Sequence, residues 1–225
     1  PCGLVTIFHD YEGEYARKAD PVVSYRGVSA LLDIEKKYNV KASYNVVGRL
    51  FDDCPEIISR IIAEGHDIAS HSYEHGDNSL QAKHSFRQID RDIKKTKVRF
   101  ASYGLALDGY RSPQSLWSFT LLRAMQANGL KWSAERDRSA YPYVIYQKGA
   151  SAIVRLPIKK DDWDYIAGGI TPEEMYNSLL DTVTDIRKNR SYGAIGFHPW
   201  VQGECEQRLE VFAAFLKTIS DMEDV

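Results

Sequence analysis

The chain has 225 residues, a formal net charge of −2, and 44% hydrophobic and 12% aromatic residues. This balance indicates one sizeable core, read as a single domain over 1–225, and excludes a disordered chain; it gives no electrostatic case for binding nucleic acid or an anionic membrane. No apolar run reaches the ~18 residues of a membrane-spanning helix, and Cys2, Cys54 and Cys205 are too widely spaced for a disulfide framework or a zinc–thiolate site.

The predicted elements alternate along the chain. "LVTIF" (4–8) reads as a strand, and 25–39 has the apolar spacing of a helix. "KASYNVV" (41–47) is a strand. Pro55 opens a helix that ends at Gly65, and "HDIAS" (66–70) is a strand. A long helix is expected over 79–97, with the basic run Lys94 to Arg99 as its solvated end. A strand over 105–110, a helix over 115–129 and a strand over 130–134 follow. Residues 135–150 form a loop or hairpin, and "SAIVRLPI" (151–158) is a strand. Thr171-Pro172-Glu173-Glu174 caps a helix over 171–189. A strand (192–198) and a last helix (204–222) complete the chain. This alternation predicts a parallel sheet covered by helices, and about seven strand–helix units favour closure into a (β/α) barrel.

In such barrels the reactive residues stand at the C-terminal ends of strands. Five predicted strand ends carry polar clusters: "HDYEG" (9–13), "HSYEH" (71–75), "RSPQ" (111–114), "KKDDWDY" (159–165) and "HPW" (198–200). His71 and His75, four apart, can present imidazole nitrogens to a divalent metal from one face of a helical turn. Asp10 and Glu12 leave a strand on the same face, so one can complete the metal site and the other act as base. Arg111 can hold a carboxylate. His198, fixed by Pro199, is a candidate general acid, with one of Asp161, Asp162 and Asp164 to orient it. His66 and His84 lie off this pattern and are read as structural or exposed. Each cluster alone has an ordinary structural explanation; their common placement is what points to an active site.

The ordered set resembles the NodB-type polysaccharide deacetylases, carbohydrate esterase family 4, from about residue 4 to 200. "HSYEH" matches the family's H-S/T-x-x-H metal motif. "RSPQ" is similar to R-x-P-Y/W with Gln114 at the aromatic position, and "GFHPW" to the motif ending in the catalytic histidine. The resemblance implies a distorted (β/α) barrel. It also implies a divalent metal, zinc foremost with cobalt or nickel as alternatives, and removal of an N-acetyl group from an amino sugar in a polysaccharide or its precursor. The first motif departs from the family's T-F-D-D-G, so two registers remain: His9 as base with Asp10 as ligand, or Asp10 as base with Glu12 as ligand. The second keeps Gly13 after the ligand and is preferred.

The implied site is then Asp10, Arg111, Asp162 and His198 for catalysis, and Glu12, His71 and His75 for the metal. Tyr11, Tyr73, Gln114, Trp163 and Trp200 are candidate substrate contacts. Two other readings are a hydrolase of a small non-sugar amide and a metal-free carbohydrate-binding protein. The start "PCGLVTIF" lacks a signal-peptide pattern and leads to the expectation of a cytoplasmic protein, although a chain without an initiator Met is compatible with a removed leader.

Overall fold

The computed structural model describes residues 2–16, 19–75 and 83–222. Its strands are β1 (Leu4–Tyr11), β2 (Ser43–Val46), β3 (Asp67–Ser70), β4 (Gly109–Arg111), β5 (Trp132–Arg136), β6 (Tyr143–Lys148), β7 (Ser151–Asp161) and β8 (Tyr192–Phe197). All of them except β6 pair in parallel and close into a seven-stranded barrel in the order β1-β2-β3-β4-β5-β7-β8. The expected (β/α) barrel is therefore the observed fold. Its distortion is local: β3 and β4 meet at the single pair Ser70↔Tyr110. The 135–150 segment supplies β6, which forms an antiparallel hairpin with β7 and, among the described residues, pairs with no other strand.

The helices are α1 (Pro21–Tyr38), α2 (Leu50–Asp53), α3 (Pro55–Ala63), α4 (Phe86–Ser102), α5 (Phe119–Ala127), α6 (Asp164–Ala167), α7 (Pro172–Asn189), α8 (Pro199–Gly203) and α9 (Glu206–Ser220). Local chemistry sets their ends. Asp20 caps α1 by accepting from the Val22 amide at 2.8 Å, with Pro21 at the first position. Thr171 and Glu174 form the reciprocal capping box expected for α7. A second such box, Ser85 with Gln88, starts α4 at Phe86, and residues 79–82 of the expected helix lie outside the described residues. Because α4 continues to Ser102, the basic run is not its end: Lys95 covers the Tyr73 ring, Lys97 donates to the Asn128 carbonyl and Arg99 pairs with Asp52. The helix expected over 115–129 splits into a 3-10 turn, Pro113–Ser115, and α5, because Gln114 and Ser115 adopt positive φ and Ser118 caps a new start. Strand β4 is shorter than 105–110. Helices α2, α6 and α8 were too short to read from periodicity.

Two apolar clusters hold these layers. Phe8, Ala134, Ile158, Tyr192 and Ala194 fill the barrel interior, while Ile7, Leu31, Ile58, Ile93, Leu121, Phe197 and Phe212 belong to the larger cluster between barrel and helices. Each large aliphatic or phenylalanine side chain among them contributes about 1.5–3 kcal/mol relative to exposure. Close approach is needed twice beside the site. A side chain at Gly196 would meet the Phe8 ring 2.1 Å from its Cβ, and one at Gly27 would meet the Pro199 carbonyl at 1.8 Å. Helix α1 thus rests directly on the turn that follows His198. No helix of the described residues is long and apolar enough to cross a membrane.

Candidate active site

The strand period sorts the first motif. Phe8, Asp10 and Glu12 face the barrel interior and its mouth, whereas Ile7, His9 and Tyr11 face the helices. Asp10 is 1% exposed and Glu12 5%. Glu12 meets both histidines: its Oε1 is 3.1 Å from His71 Nε2 and 3.0 Å from His75 Nε2. Its Oε2 accepts from Trp200 Nε1 at 2.8 Å. His71 Nδ1 stands 2.8 Å from the Arg111 carbonyl, which can only accept. The Nδ1 proton is thereby committed to that carbonyl, and Nε2 is the nitrogen turned towards Glu12. Both nitrogens of His75 are buried without a hydrogen-bond partner. Two imidazole nitrogens converge on one carboxylate oxygen with no other side chain between them, an arrangement that suits a cation seat. The three donors lie within 4.8 Å of one another and suit a divalent metal. Burial pushes the Glu12 carboxyl up, but its contacts with His71 and His75 outweigh this and hold it well below the carboxylate range.

The two histidines do not share a helical turn. Residues 71–75 run as an irregular loop in which Ser72 (φ 64°) and His75 (φ 59°) are left-handed. Ser72 Oγ accepts from the His75 amide at 3.0 Å, and the rings end 5.2 Å apart.

Asp10 lies beside this group. Its Oδ1 accepts from Asn45 Nδ2 at 2.8 Å, and its Oδ2 is 3.3 Å from Arg111 Nε and 3.7 Å from His198 Nε2. Burial raises its pKa, but Arg111, His71 and His198 together bring it below the ordinary value. Across the cavity, Asp162 holds His198 at two points: Oδ2 accepts from the backbone amide at 2.9 Å and Oδ1 meets Nδ1 at 2.5 Å. Gln202 Nε2 donates to the same carboxylate at 2.7 Å. Burial would lower the His198 pKa, but Asp162, followed by Glu12 and Asp10, pushes it up to about 10. Of the three aspartates left open by the sequence, Asp162 is the one on His198. Asp161 pairs with Arg136 and Asp164 with Lys160.

Sequence reasoning missed Glu135, which lies outside every motif. It is fully buried at the end of β5, 3.0 Å from Arg111 Nη1, and accepts from the Ser112 amide at 3.1 Å. One side chain thus anchors both Arg111 and the turn that follows it. Asn45 was missed as well. Glu135 opens a charged stretch, Glu135-Arg136-Asp137-Arg138, that reads as a surface loop, and only the parallel register β4–β5 brings it beside Arg111.

Asp10, Glu12, His75, Arg111 and His198 line a cavity of about 450 Å³ whose walls include Gln114, Trp163, Trp200, Ala16, Arg136 and Asp161. Gln114, with φ 57° and ψ 17°, faces it as expected, as do Trp163 and Trp200. Two expected contacts do not. Tyr11 points away into the apolar layer, 1% exposed. Tyr73 packs against Gly48 under Lys95. His9 is also turned away: fully buried, it meets Glu35 Oε1 at 2.5 Å. The register with His9 as base therefore has no support in the geometry. His66 is buried, its Nδ1 accepting from the Ala42 amide at 3.1 Å, and His84 is half-buried ahead of α4.

Comparison with known proteins agrees with this arrangement. The polysaccharide deacetylase family model matches residues 23–133. The chain is 27% identical over 157 residues to a chitooligosaccharide deacetylase of Sinorhizobium fredii, covering 66% of this chain and 68% of the relative. Over 131 residues it is 32% identical to the Rhizobium leguminosarum enzyme of that name, covering 55% and 53%. It is 23% identical to the peptidoglycan-N-acetylmuramic acid deacetylase PdaA of Bacillus subtilis, over 80% of this chain and 71% of that one. Among solved structures, a Mycobacterium smegmatis protein ascribed to the polysaccharide deacetylases superposes with a TM-score of 0.87 at 22% identity, over 99% of this chain and 85% of that one. A family 4 carbohydrate esterase from Streptomyces lividans gives 0.63 at 17%, over 98% and 91%. Family match, relatives and shared barrel together place the chain in the polysaccharide deacetylase family, carbohydrate esterase family 4, with a NodB-like fold.

Proposed function

We propose that this chain, folded as one domain, is a metal-dependent deacetylase that hydrolyses the N-acetyl group of an amino sugar in a polysaccharide or its precursor. The observation that carries the reading is the pairing of Asp10 Oδ2 and His198 Nε2, 3.7 Å apart, beside the Glu12–His71–His75 group. An acid and a base there flank any amide seated in the cavity. Glu12, His71 and His75 would hold the ion, zinc by donor type with cobalt or nickel as alternatives. When bound, it supplies Lewis acidity to a water and to the amide carbonyl.

Asp10, kept ionised by Arg111, takes a proton from the attacking water. The oxygen adds to the carbonyl carbon, while the backbone N–H of Gln114 is the donor available to the developing oxyanion, that of Ser112 being held by Glu135. His198, protonated at neutral pH, gives its proton to the nitrogen as the C–N bond breaks. The products are acetate and a free amine. The short path from Asp10 to His198 returns the proton and resets both groups. Trp163 and Trp200 offer apolar ring faces to the sugar.

The same fold in the Puue allantoinase, at a TM-score of 0.85 and 16% identity, means that the barrel alone leaves the amide unspecified. Acetate release therefore decides. Protein loaded with zinc, cobalt or nickel should carry about one ion per chain and release acetate from N-acetylated chitooligosaccharides, and His71→Ala should lose both properties. Metal uptake with turnover only of small non-sugar amides would move the chain to that class. Sugar binding without metal would make it a binding protein.

A further inference from the structure

The Glu12–His71–His75 centre occupies one side of the cavity; the opposite wall is built differently. Arg136, at the end of β5, is clamped to Asp161 by three hydrogen bonds: Nε to Oδ2 at 3.1 Å, and Nη2 to Oδ1 at 2.9 Å and to Oδ2 at 2.7 Å. The carboxylate is buried, at 4% side-chain exposure, while the arginine side chain is 55% exposed. A β-bulge between Ile158 and Lys160 brings Asp161 to this position, and the Trp163 amide donates to it at 3.2 Å. One edge of the guanidinium is thus fixed, and Nη1 makes no hydrogen bond among the described residues. A rigid fork held by a buried anchor and open on its other edge is suited to gripping an anionic group of planar or tetrahedral oxygens.

A second cavity of about 730 Å³ adjoins the first and shares Arg136, Asp161 and Trp163 with it. Its wall continues with Lys160, Lys159 and Arg138, opposed by Asp137 and Asp164. Those carboxylates are occupied: Asp164 by Lys160, and Asp137 by the Ser139 amide at 2.8 Å and the Tyr143 hydroxyl at 2.7 Å. Lys159 donates to the Asp137 and Ser139 carbonyls, at 3.1 and 2.5 Å, and lies in the field of the Asp137 carboxylate, while Arg138 forms no ion pair among the described residues. The wall thus carries four cationic side chains, Arg136, Arg138, Lys159 and Lys160, against three carboxylates, a small local cationic excess in a chain of net charge −2.

We propose that the adjoining cavity is a subsite for an anionic substituent, a carboxylate or a phosphate, borne by the substrate next to its acetylated residue, with Arg136 as the specificity-determining contact. This deepens, and rests on, the deacetylase reading. The test uses the metal-loaded protein and three soluble N-acetylated oligosaccharides of equal length: one neutral, one with carboxylates on alternate residues and one carrying a phosphate. Acetate release and equilibrium binding are measured separately for wild type and Arg136→Gln, each checked for fold by its thermal transition.

The expected result is a kcat/KM roughly tenfold higher for one of the anionic compounds than for the neutral one, consistent with a charge-assisted hydrogen bond. The preference should lie mainly in KM, and the ratio should collapse in Arg136→Gln. The compound preferred identifies the anion as carboxylate or phosphate. Turnover without any anionic preference, or an equal loss on all three compounds in the variant, overturns the subsite and leaves the deacetylase reading standing. Arg136-dependent binding of an anionic compound with no acetate released supports the subsite and overturns the deacetylase reading instead.

Discussion

Strand β1 carries polar clusters on both faces, and they meet different fates. On the interior face, Asp10 and Glu12 join His71, Arg111 and His198 around a cavity. On the helix-facing side, His9 bonds Glu35, Glu35 accepts from the Tyr44 hydroxyl at 2.6 Å, and His66 lies 3.8 Å from the same carboxylate. Both clusters mix imidazoles with carboxylates, and both are buried. The second lines neither of the cavities described above, and His9 is packed against the rings of Tyr44, Phe197 and Phe212. Residue type, burial and unpaired ring nitrogens therefore do not separate chemistry from structure here, since His9 Nδ1 and His66 Nε2 are as unpartnered as the nitrogens of His75; access to the cavity does.

Substitutions on the two faces should separate most sharply in activity. Asp10→Asn keeps the size of the side chain and removes the base. It should lower kcat by about 10²–10⁴ while the metal content measured by elemental analysis stays at the wild-type level; loss of the ion instead would make Asp10 a ligand. A smaller effect is expected behind His198. Asp162→Asn removes the carboxylate that opposes burial, so the imidazole should lose its proton at lower pH. The alkaline limb of the kcat/KM profile should then move down by roughly 1–3 units. An unmoved limb would detach Asp162 from proton donation. The sign for stability follows from the same shift. A His198 pKa raised to about 10 gives a contribution that is complete below its unfolded value of about 6.5 and is lost as pH rises towards 10.

The least effect on catalysis belongs to the helix-facing side. Glu35→Ala leaves His9 without its partner and should cost about 3–5 kcal/mol of stability, read by denaturant unfolding, with kcat/KM held within about twofold of wild type. Abolished turnover in a folded, metal-loaded Glu35→Ala protein would erase the distinction between the faces.

Much of this was legible because the chain repeats its own logic. Strand–helix alternation announced the barrel, and the polar clusters at strand ends announced where Asp10, Glu12, His71, His75, Arg111, Asp162 and His198 would meet. What escaped depended on three-dimensional register. His9 and Tyr11 were separated from Asp10 and Glu12 by a period of two, which the motif's spelling suggested but its neighbours obscured. Tyr73 sits within the metal motif, yet the left-handed turn at Ser72 sends it to Gly48. Glu135 and Asn45 reach the site only because parallel strands bring distant segments side by side. Arg136, at the end of β5, meets Asp161 just past a register shift in β7, and such an irregularity leaves no mark on apolar periodicity.

The β6–β7 hairpin has a consequence for solubility. Closing the barrel removes its open edges, but β6 stands outside the closure and presents Tyr143 and Val144, 39% and 53% exposed, along an unpaired backbone. Such an edge is where a second chain would add by strand pairing. Pro142 removes a donor just before the strand, and Lys148 places a charge at its other end. The stretch open to pairing is thereby shortened to a few residues, and crowding at high concentration would be felt first at this hairpin, well away from the two faces of β1.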